Sequence, residues 1–198
     1  MATRLAILAT AKAIRRLLAE AGAGTEFSGA EFKVIQAAEL TGATPPLAEG
    51  ITICLYQITA NTQRNTPAHT GPTGARSRPA LALELHFLIT PWSASADTQL
   101  SLLGWAMRVL DDTPSMDANV LNADFPGQAI FHLDESVALI FNPLSLPELA
   151  ALWQGLAAAG TMPAITYVAR LVSIESDTVN ADGAAEPDST WITAGQPE

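Results

Sequence analysis

The chain has 198 residues, of which 48% are apolar and 15% are charged, a composition that supports one globular core and excludes disorder throughout. Its formal net charge of -10 excludes a nucleic-acid binder that works by neutralising phosphates with lysine and arginine. The single cysteine, Cys54, lies in an apolar run and predicts a small core residue in a reducing compartment. No stretch is apolar for the roughly 18 residues that a membrane helix needs, and the N-terminus lacks a secretory pattern, so we expect synthesis in the cytoplasm.

The first half of the chain predicts one helix, three strands and a long loop. In residues 3–21, apolar side chains at helical spacing form one face, which consists of Ile7, Ala11, Ile14 and Leu18. A short strand is predicted within residues 31–39 and a longer one over residues 51–62. Residues 65–79 hold three prolines and two glycines, and they predict a loop of a length that is often functional. Strict alternation over residues 81–90 then indicates a strand with one buried face.

The second half of the chain predicts two longer helices, a short one and two strands. Residues 97–111 predict a helix whose buried stripe would be Leu100, Leu103, Gly104, Met107 and Leu110. A short helix near residues 117–121 and a strand over residues 136–141 follow. The capping box at residues 145–148 opens a helix with a stripe of Leu149, Leu152, Trp153 and Leu156, and Gly160 would end it. Residues 164–175 predict the last strand.

This order of elements predicts an α+β fold. Residues 1–176 would form a single domain in which a mixed β-sheet carries helices packed on one face. Residues 177–198 are acidic, small and polar, and they predict a tail that is flexible or held by a partner. Within it, Trp191 and Ile192 predict an anchor that docks on a partner surface, although accidental exposure is equally compatible with the pattern. A basic N-terminus and an acidic C-terminus suit head-to-tail contact between copies, but two solvated ends would look the same.

Glu84 and His86 are the best candidates for chemistry because they share one face of a predicted strand. The alternative, which we favour, is a structural polar pair within the fold or between subunits. The chain has no Gly-x-Ser-x-Gly elbow, no His-Glu-x-x-His motif and no second cysteine. We therefore predict no catalytic residues, no metal site and no cofactor.

Basic side chains in and beside the long loop are the best candidates for partner contact. Arg64, Asn65, Arg76 and Arg78 lie in or next to a segment without acids, in a chain with 20 acidic and 10 basic side chains. Their partners are therefore acidic groups elsewhere, either in the same chain or on a neighbouring subunit. A long loop that projects from a rigid sheet is suited to the second arrangement.

Several segments together resemble one known family. They are ITICLYQITANTQRN (51–65), RPALALELHFLIT (78–90), QLSLLGWAMRVLDDTP (99–114), and LPELAALWQGL with MPAITYVARLVSIES (146–176). In their order and content these segments resemble the tail-terminator, or cap, proteins of extracellular contractile injection systems, which are phage-tail-like particles. The resemblance covers roughly residues 3–176.

The resemblance implies a structural role and specific partners. The chain would form a closed ring, a homohexamer, on the last layer of the inner tube and the contractile sheath, and would stop both from growing. Its partners would be its own copies, the sheath protein and the inner-tube protein, without nucleic acid and without direct membrane insertion. Two alternatives stay open at this stage: a tail adaptor at another position of the particle, and a small cytoplasmic enzyme that uses Glu84 and His86.

Overall fold

A computed structural model describes residues 3–42, 44–61, 80–155 and 163–175 in full, and residues 76–77 and 179–180 by their backbone. The helices in this part of the chain are α1 (Ala6–Gly22), α2 (Ala37–Leu40), α3 (Ala96–Asp111), α4 (Ala118–Asn122) and α5 (Leu146–Gly155). The strands are β1 (Glu31–Ile35), β2 (Gly50–Ala60), β3 (Arg76–Ser77), β4 (Leu81–Trp92), β5 (Ser115–Asp117), β6 (Ser136–Phe141), β7 (Ile165–Ile174) and β8 (Val179–Asn180).

Six of these strands form one mixed sheet in the order β1-β2-β4-β7-β6-β5. The edge strand β1 runs parallel to β2, while the other neighbouring strands in the sheet are antiparallel. The predicted α+β fold with a mixed sheet is therefore confirmed. The remaining two strands, β3 and β8, pair with each other as a separate two-stranded ribbon.

The main core lies between one face of the sheet and the helices α1, α3 and α4. Buried side chains from the central strands include Leu85, Phe87 and Ile89, and α1 contributes Ile14 and Leu18. The amphipathic helix predicted for residues 3–21 thus buries the expected face. Full burial of a leucine, isoleucine or phenylalanine side chain contributes about 1.5–3 kcal/mol, so this layer supplies much of the stability.

A second, smaller cluster covers part of the opposite face of the sheet. Its buried members are Ile35, Leu40, Leu47, Cys54, Leu88 and Trp92, and Leu152 and Trp153 of α5 pack against it. The predicted core position of Cys54 is confirmed. Helices α2 and α5 therefore pack on the face of the sheet opposite to α1, α3 and α4, whereas the sequence analysis expected helices on one face only.

The buried stripe of α3 differs from the prediction. Leu102, Ala106 and Leu110 are buried, whereas Leu100 is 58% exposed and Gly104 is exposed. Of the five predicted stripe residues, Leu110 alone is fully buried. The error has a simple cause: apolar residues surround most of α3, so more than one stripe fits helical spacing, and the neighbouring elements decide which one is covered.

Some elements were missed or only half formed. The strand β5 has three residues, and α2 has four, which is too short for a periodic pattern. At the start of α5, the Glu148 carboxylate accepts a hydrogen bond from the Ser145 backbone N–H at 2.9 Å, which is one half of the predicted capping box. Gly160 and Leu156 lie outside the described residues.

Candidate functional site

The structure brings Glu84 and His86 together on the face of β4 that points away from the main core. Asn61 Nδ2 donates a hydrogen bond to Glu84 Oε1 at 3.3 Å, and Arg170 Nε lies 3.4 Å from the same oxygen. Thr59 Oγ1 lies 3.2 Å from His86 Nε2. The polar cluster, as we call these five residues, therefore links β4 to side chains from both neighbouring strands or their ends.

Two irregularities in strand pairing flank the polar cluster. In β2, Tyr56 is an extra residue between the pairs Leu55–Phe87 and Gln57–His86. In β7, the register shifts opposite Glu84, where Leu171 adopts a positive φ of 73°. A non-glycine residue in this conformation costs about 1–2 kcal/mol, and a bulge bends its strand and re-aims the side chains next to it. The bulges thus set the direction in which the side chains of the polar cluster point.

The electrostatics of the polar cluster favour a neutral histidine. Burial lowers the pKa of His86, and Arg170 lowers it further, while Glu84 opposes both effects. Burial also raises the pKa of the Tyr56 hydroxyl, whose ring lies edge-on to His86 at 6.0 Å between centroids. The Glu84 carboxylate accepts a hydrogen bond from the Asn61 amide and pairs with the Arg170 guanidinium. These contacts connect β4 to its two neighbouring strands. The assignment of Glu84 and His86 as a structural pair stays a prediction.

This pKa shift predicts a pH dependence of stability. Because the folded pKa of His86 lies below its unfolded value, the unfolded state binds more protons as the pH falls from about 7 to about 5. The histidine's contribution is therefore complete above its unfolded pKa and is lost as the pH falls through the folded pKa. We expect the thermal midpoint to fall less between these pH values in His86→Gln than in the parent. The matched control is His132→Gln, because His132 is exposed. If the pH-dependent fall of the thermal midpoint is equally small in both variants, His86 is not the source of the effect.

The residues predicted to contact partners lie mostly outside the described part of the chain. This applies to Arg64, Asn65, Arg78, Trp191 and Ile192. Arg76 is described by its backbone, which pairs with Asn180, while Ser77 pairs with Val179. The end of the long loop and the beginning of the acidic tail therefore run antiparallel to each other. In the sequence, β3 ends shortly before β4 begins and β8 begins shortly after β7 ends, and Leu81 of β4 pairs with Ile174 of β7.

A half-open apolar groove lies between α3 and the ends of β6 and β7. It is lined by Gly104, Met107, Arg108, Asp111, Phe141 and Tyr167. Phe141 is 44% exposed, and its ring meets that of Tyr167 edge-on at 5.6 Å between centroids. Sequence reasoning identified the α3 side of this groove as apolar but assigned it to the core. No pattern in the sequence predicted that Phe141, the last residue of β6, would line this groove.

The described residues hold no group of three or more His, Cys, Asp or Glu side chains placed to bind a metal. Within the same residues, no helix combines the length and apolar character needed to cross a membrane. The described part of the chain is an α+β domain with three notable features: the polar cluster between strands, the ribbon of β3 and β8, and the open apolar groove beside α3.

Comparison with known proteins identifies the family of this domain. The model of the Pvc16 N-terminal domain matches residues 9–185, and the chain belongs to that family. A search of curated proteins found no match.

Two solved structures share the fold. One is the sheath/tube terminator, in the extended state, of the extracellular contractile injection system PVC, with a TM-score of 0.62 and 18% identity. The other is the tube-terminating cap of the anti-feeding prophage, with a TM-score of 0.56 and 16% identity. The match to the terminator covers 100% of this chain and 66% of the terminator chain. The match to the prophage cap covers 96% of this chain and 60% of the cap chain.

Proposed function

We propose that this protein is a structural cap that terminates the inner tube and the contractile sheath of a phage-tail-like injection particle. The observation that supports this most strongly is that the whole chain shares its fold with terminators of two such particles. The family match over most of the chain agrees with it. A cap acts through shape and contact, and the polar cluster, with Glu84 held by Asn61 and Arg170, fits a role without catalysis.

The proposal includes the partners and the place of the protein. Copies of the chain would form a closed ring, a homohexamer, that sits on the last layers of the sheath protein and the inner-tube protein. Synthesis and assembly would take place in the cytoplasm, before the particle is released or retained. A closed ring that binds the last layer with one face, and whose other face binds no further layer, would stop a stacked polymer without any chemical step.

The long loop and the tail are the proposed contact segments. Arg64, Asn65, Arg76 and Arg78 would meet acidic groups of a neighbouring subunit or of the terminal tube ring, and Trp191 and Ile192 would anchor the tail. The pairing of Arg76 with Asn180 supports a joint role, because it ties the loop and the tail into one ribbon. In a machine of stacked rings, a ribbon at the end of a rigid sheet is suited to reach across a joint.

The test is to image particles from a strain that lacks this chain. We expect tubes and sheaths of irregular length, or none, because nothing would stop polymerisation at a fixed layer. Complementation with the parent chain should restore uniform length, and complementation with Arg76→Ala plus Arg78→Ala should restore it less completely. Uniform, capped particles in the deletion strain would end the terminator proposal. Tubes of uniform length that lack a baseplate would instead indicate the adaptor.

A further inference from the structure

One side of α3 is apolar but is not covered by the described part of the chain. Leu100, Gly104 and Met107 lie at spacings of three and four residues, which place them on one side of the helix. Leu100 is 58% exposed, and the groove beside Met107 is open. Asp97 and Asp111 extend the same spacing at either end. This α3 open face, Asp97–Leu100–Gly104–Met107–Asp111, has the 3-4 pattern of a helix-packing seam.

Gly104 has no purpose within the described fold. It lies inside a 16-residue helix, where glycine is unfavourable relative to alanine. A Cβ at this position would meet nothing within 4 Å, and its φ is not in the left-handed region. Neither its backbone geometry nor packing against the described residues therefore requires glycine at this position. A glycine in the middle of an apolar helix face permits another backbone to approach closely, and this points to a helix from outside.

A complementary face lies on α1. Arg4, just before the helix, and Leu8, Lys12 and Arg15 follow one another at spacings of four, four and three residues. Leu8 is 42% exposed, and Lys12 lies 4.8 Å above the centre of the Phe125 ring. This α1 basic stripe, Arg4–Leu8–Lys12–Arg15, thus presents an exposed leucine between bases. The α3 open face presents an exposed leucine and a glycine between acids.

The charges of the two helices are opposite even after their internal ion pairs are considered. Arg15 and Arg16 share Asp124, and Arg16 also contacts Glu20. Among the described residues on this flank, Arg4 and Lys12 are therefore the bases in excess over the acids. On α3, Arg108 contacts both Asp111 and Asp112. One base therefore faces two acids there, and Asp97 adds a further negative charge at the start of the helix. Such complementarity steers association and fixes its register.

We propose that the α3 open face binds the α1 basic stripe of a second copy of this chain. The two faces lie on different flanks of the helical layer: the α1 basic stripe borders Asp124 and Phe125, and the α3 open face borders Phe141 and Tyr167. A contact between two different patches is heterologous, and repetition of such a contact closes a ring when the rotation allows. The inference rests on the proposed ring and names the surfaces that hold it together.

The first experiment measures the concentration of half-assembly of the purified full chain by light scattering over a dilution series. Leu100→Asp should raise this concentration about tenfold or more, because it places a charge in the contact; tenfold corresponds to about 1.4 kcal/mol. The matched control is Leu133→Asp, at a leucine that is 86% exposed and lies on neither face. It should leave the concentration unchanged.

Gly104→Ala separates the contact from the stability of the fold. Alanine favours the helix, so the thermal midpoint of the dissociated chain should stay the same or rise. The added methyl group would nevertheless hold the neighbouring helix away, and the concentration of half-assembly should rise. A variant that destabilised the subunit would change both quantities in the unfavourable direction, so this pattern cannot come from misfolding.

Charge reversal tests which two faces meet. Arg4→Glu with Lys12→Glu should weaken assembly, and so should Asp97→Lys with Asp111→Lys. An equimolar mixture of the two variants should recover the parent's assembled size, because each reversed face then meets its complement in the other variant. Recovery in the mixture supports the pairing. If each variant fails alone and the mixture also fails, the α1 basic stripe is not the partner of the α3 open face.

The outcomes separate this inference from the proposed function. If the parent forms rings and Leu100→Asp and Gly104→Ala form them equally well, the surface is wrong and the ring stands. If both variants form rings but no longer attach to tubes or sheaths, the α3 open face binds those partners and the inference is overturned. If the parent chain is monomeric at every concentration, the ring itself fails and the inference fails with it.

Discussion

Gly50→Ala is expected to lower the free energy of unfolding strongly and to shift the urea midpoint well below that of the parent. Gly50 begins β2 with a φ of 150°, a conformation that L side chains rarely adopt. An added Cβ would lie 2.0 Å from the backbone oxygen of Glu31. Because this atom belongs to the paired strand β1, no side chain can rotate to relieve the clash. We expect a loss of more than about 3 kcal/mol, against a total stability of about 5–15 kcal/mol.

Urea unfolding followed by circular dichroism measures this loss, and Gly29→Ala is the matched control. Gly29 also lies in the N-terminal third of the chain, but a Cβ there meets nothing within 4 Å and its φ is not in the left-handed region. Its replacement should be neutral or slightly stabilising, because alanine reduces the entropy of the unfolded chain. A Gly50→Ala protein as stable as the control would show that β1 and β2 are not paired as described, with Glu31 opposite Gly50.

The elements of the fold could be predicted where one strong pattern determined them. Alternation in β4 and helical spacing in α1 are local signals, and both elements lie where the sequence placed them. The parallel pairing of β1 with β2 could not be predicted from a local pattern, because it depends on the path of the chain between the two strands. Short elements such as β5 are stabilised by their neighbours, and three residues carry no period of their own.

The candidate sites divide in the same way. The common face of Glu84 and His86 follows from the period of a strand, and it could be predicted. Their partners could not, because Asn61 and Arg170 come from elements that approach β4 through register shifts. A bulge changes which residues face each other, and its position depends on both strands. Likewise, the groove beside α3 needs Phe141, which tertiary packing alone brings there.

The burial predicted for one side of α3 differs from the burial in the structure, and the difference has a physical meaning. The sequence predicted that Leu100, Gly104 and Met107 are buried, and within the single chain this is wrong for Leu100 and Gly104. The apolar residues of α3 extend beyond the stripe that the main core covers, and such a wide apolar face predicts more than one covering element. The single chain covers one side, and a second copy in a ring would cover the other. The same pattern would then describe the assembled protein better than the isolated subunit.

Leu102→Ala and Leu100→Ala test this reading of α3 with the same change at positions two residues apart. Leu102 is 0% exposed and packs in the main core, so its truncation should cost about 2–5 kcal/mol from lost burial and the remaining cavity. Leu100 is exposed in the single chain, and its truncation should change the free energy of unfolding by about 0.5 kcal/mol or less. Both values are measured by urea unfolding at concentrations low enough to keep the chain dissociated.

Above the concentration of half-assembly, the Leu100→Ala chain should become measurably less stable than the parent, because the truncated side chain then also loses its contact with a neighbouring copy. Equal losses for the two variants in the dissociated chain would mean that α3 is rotated relative to the described packing, with Leu100 inside.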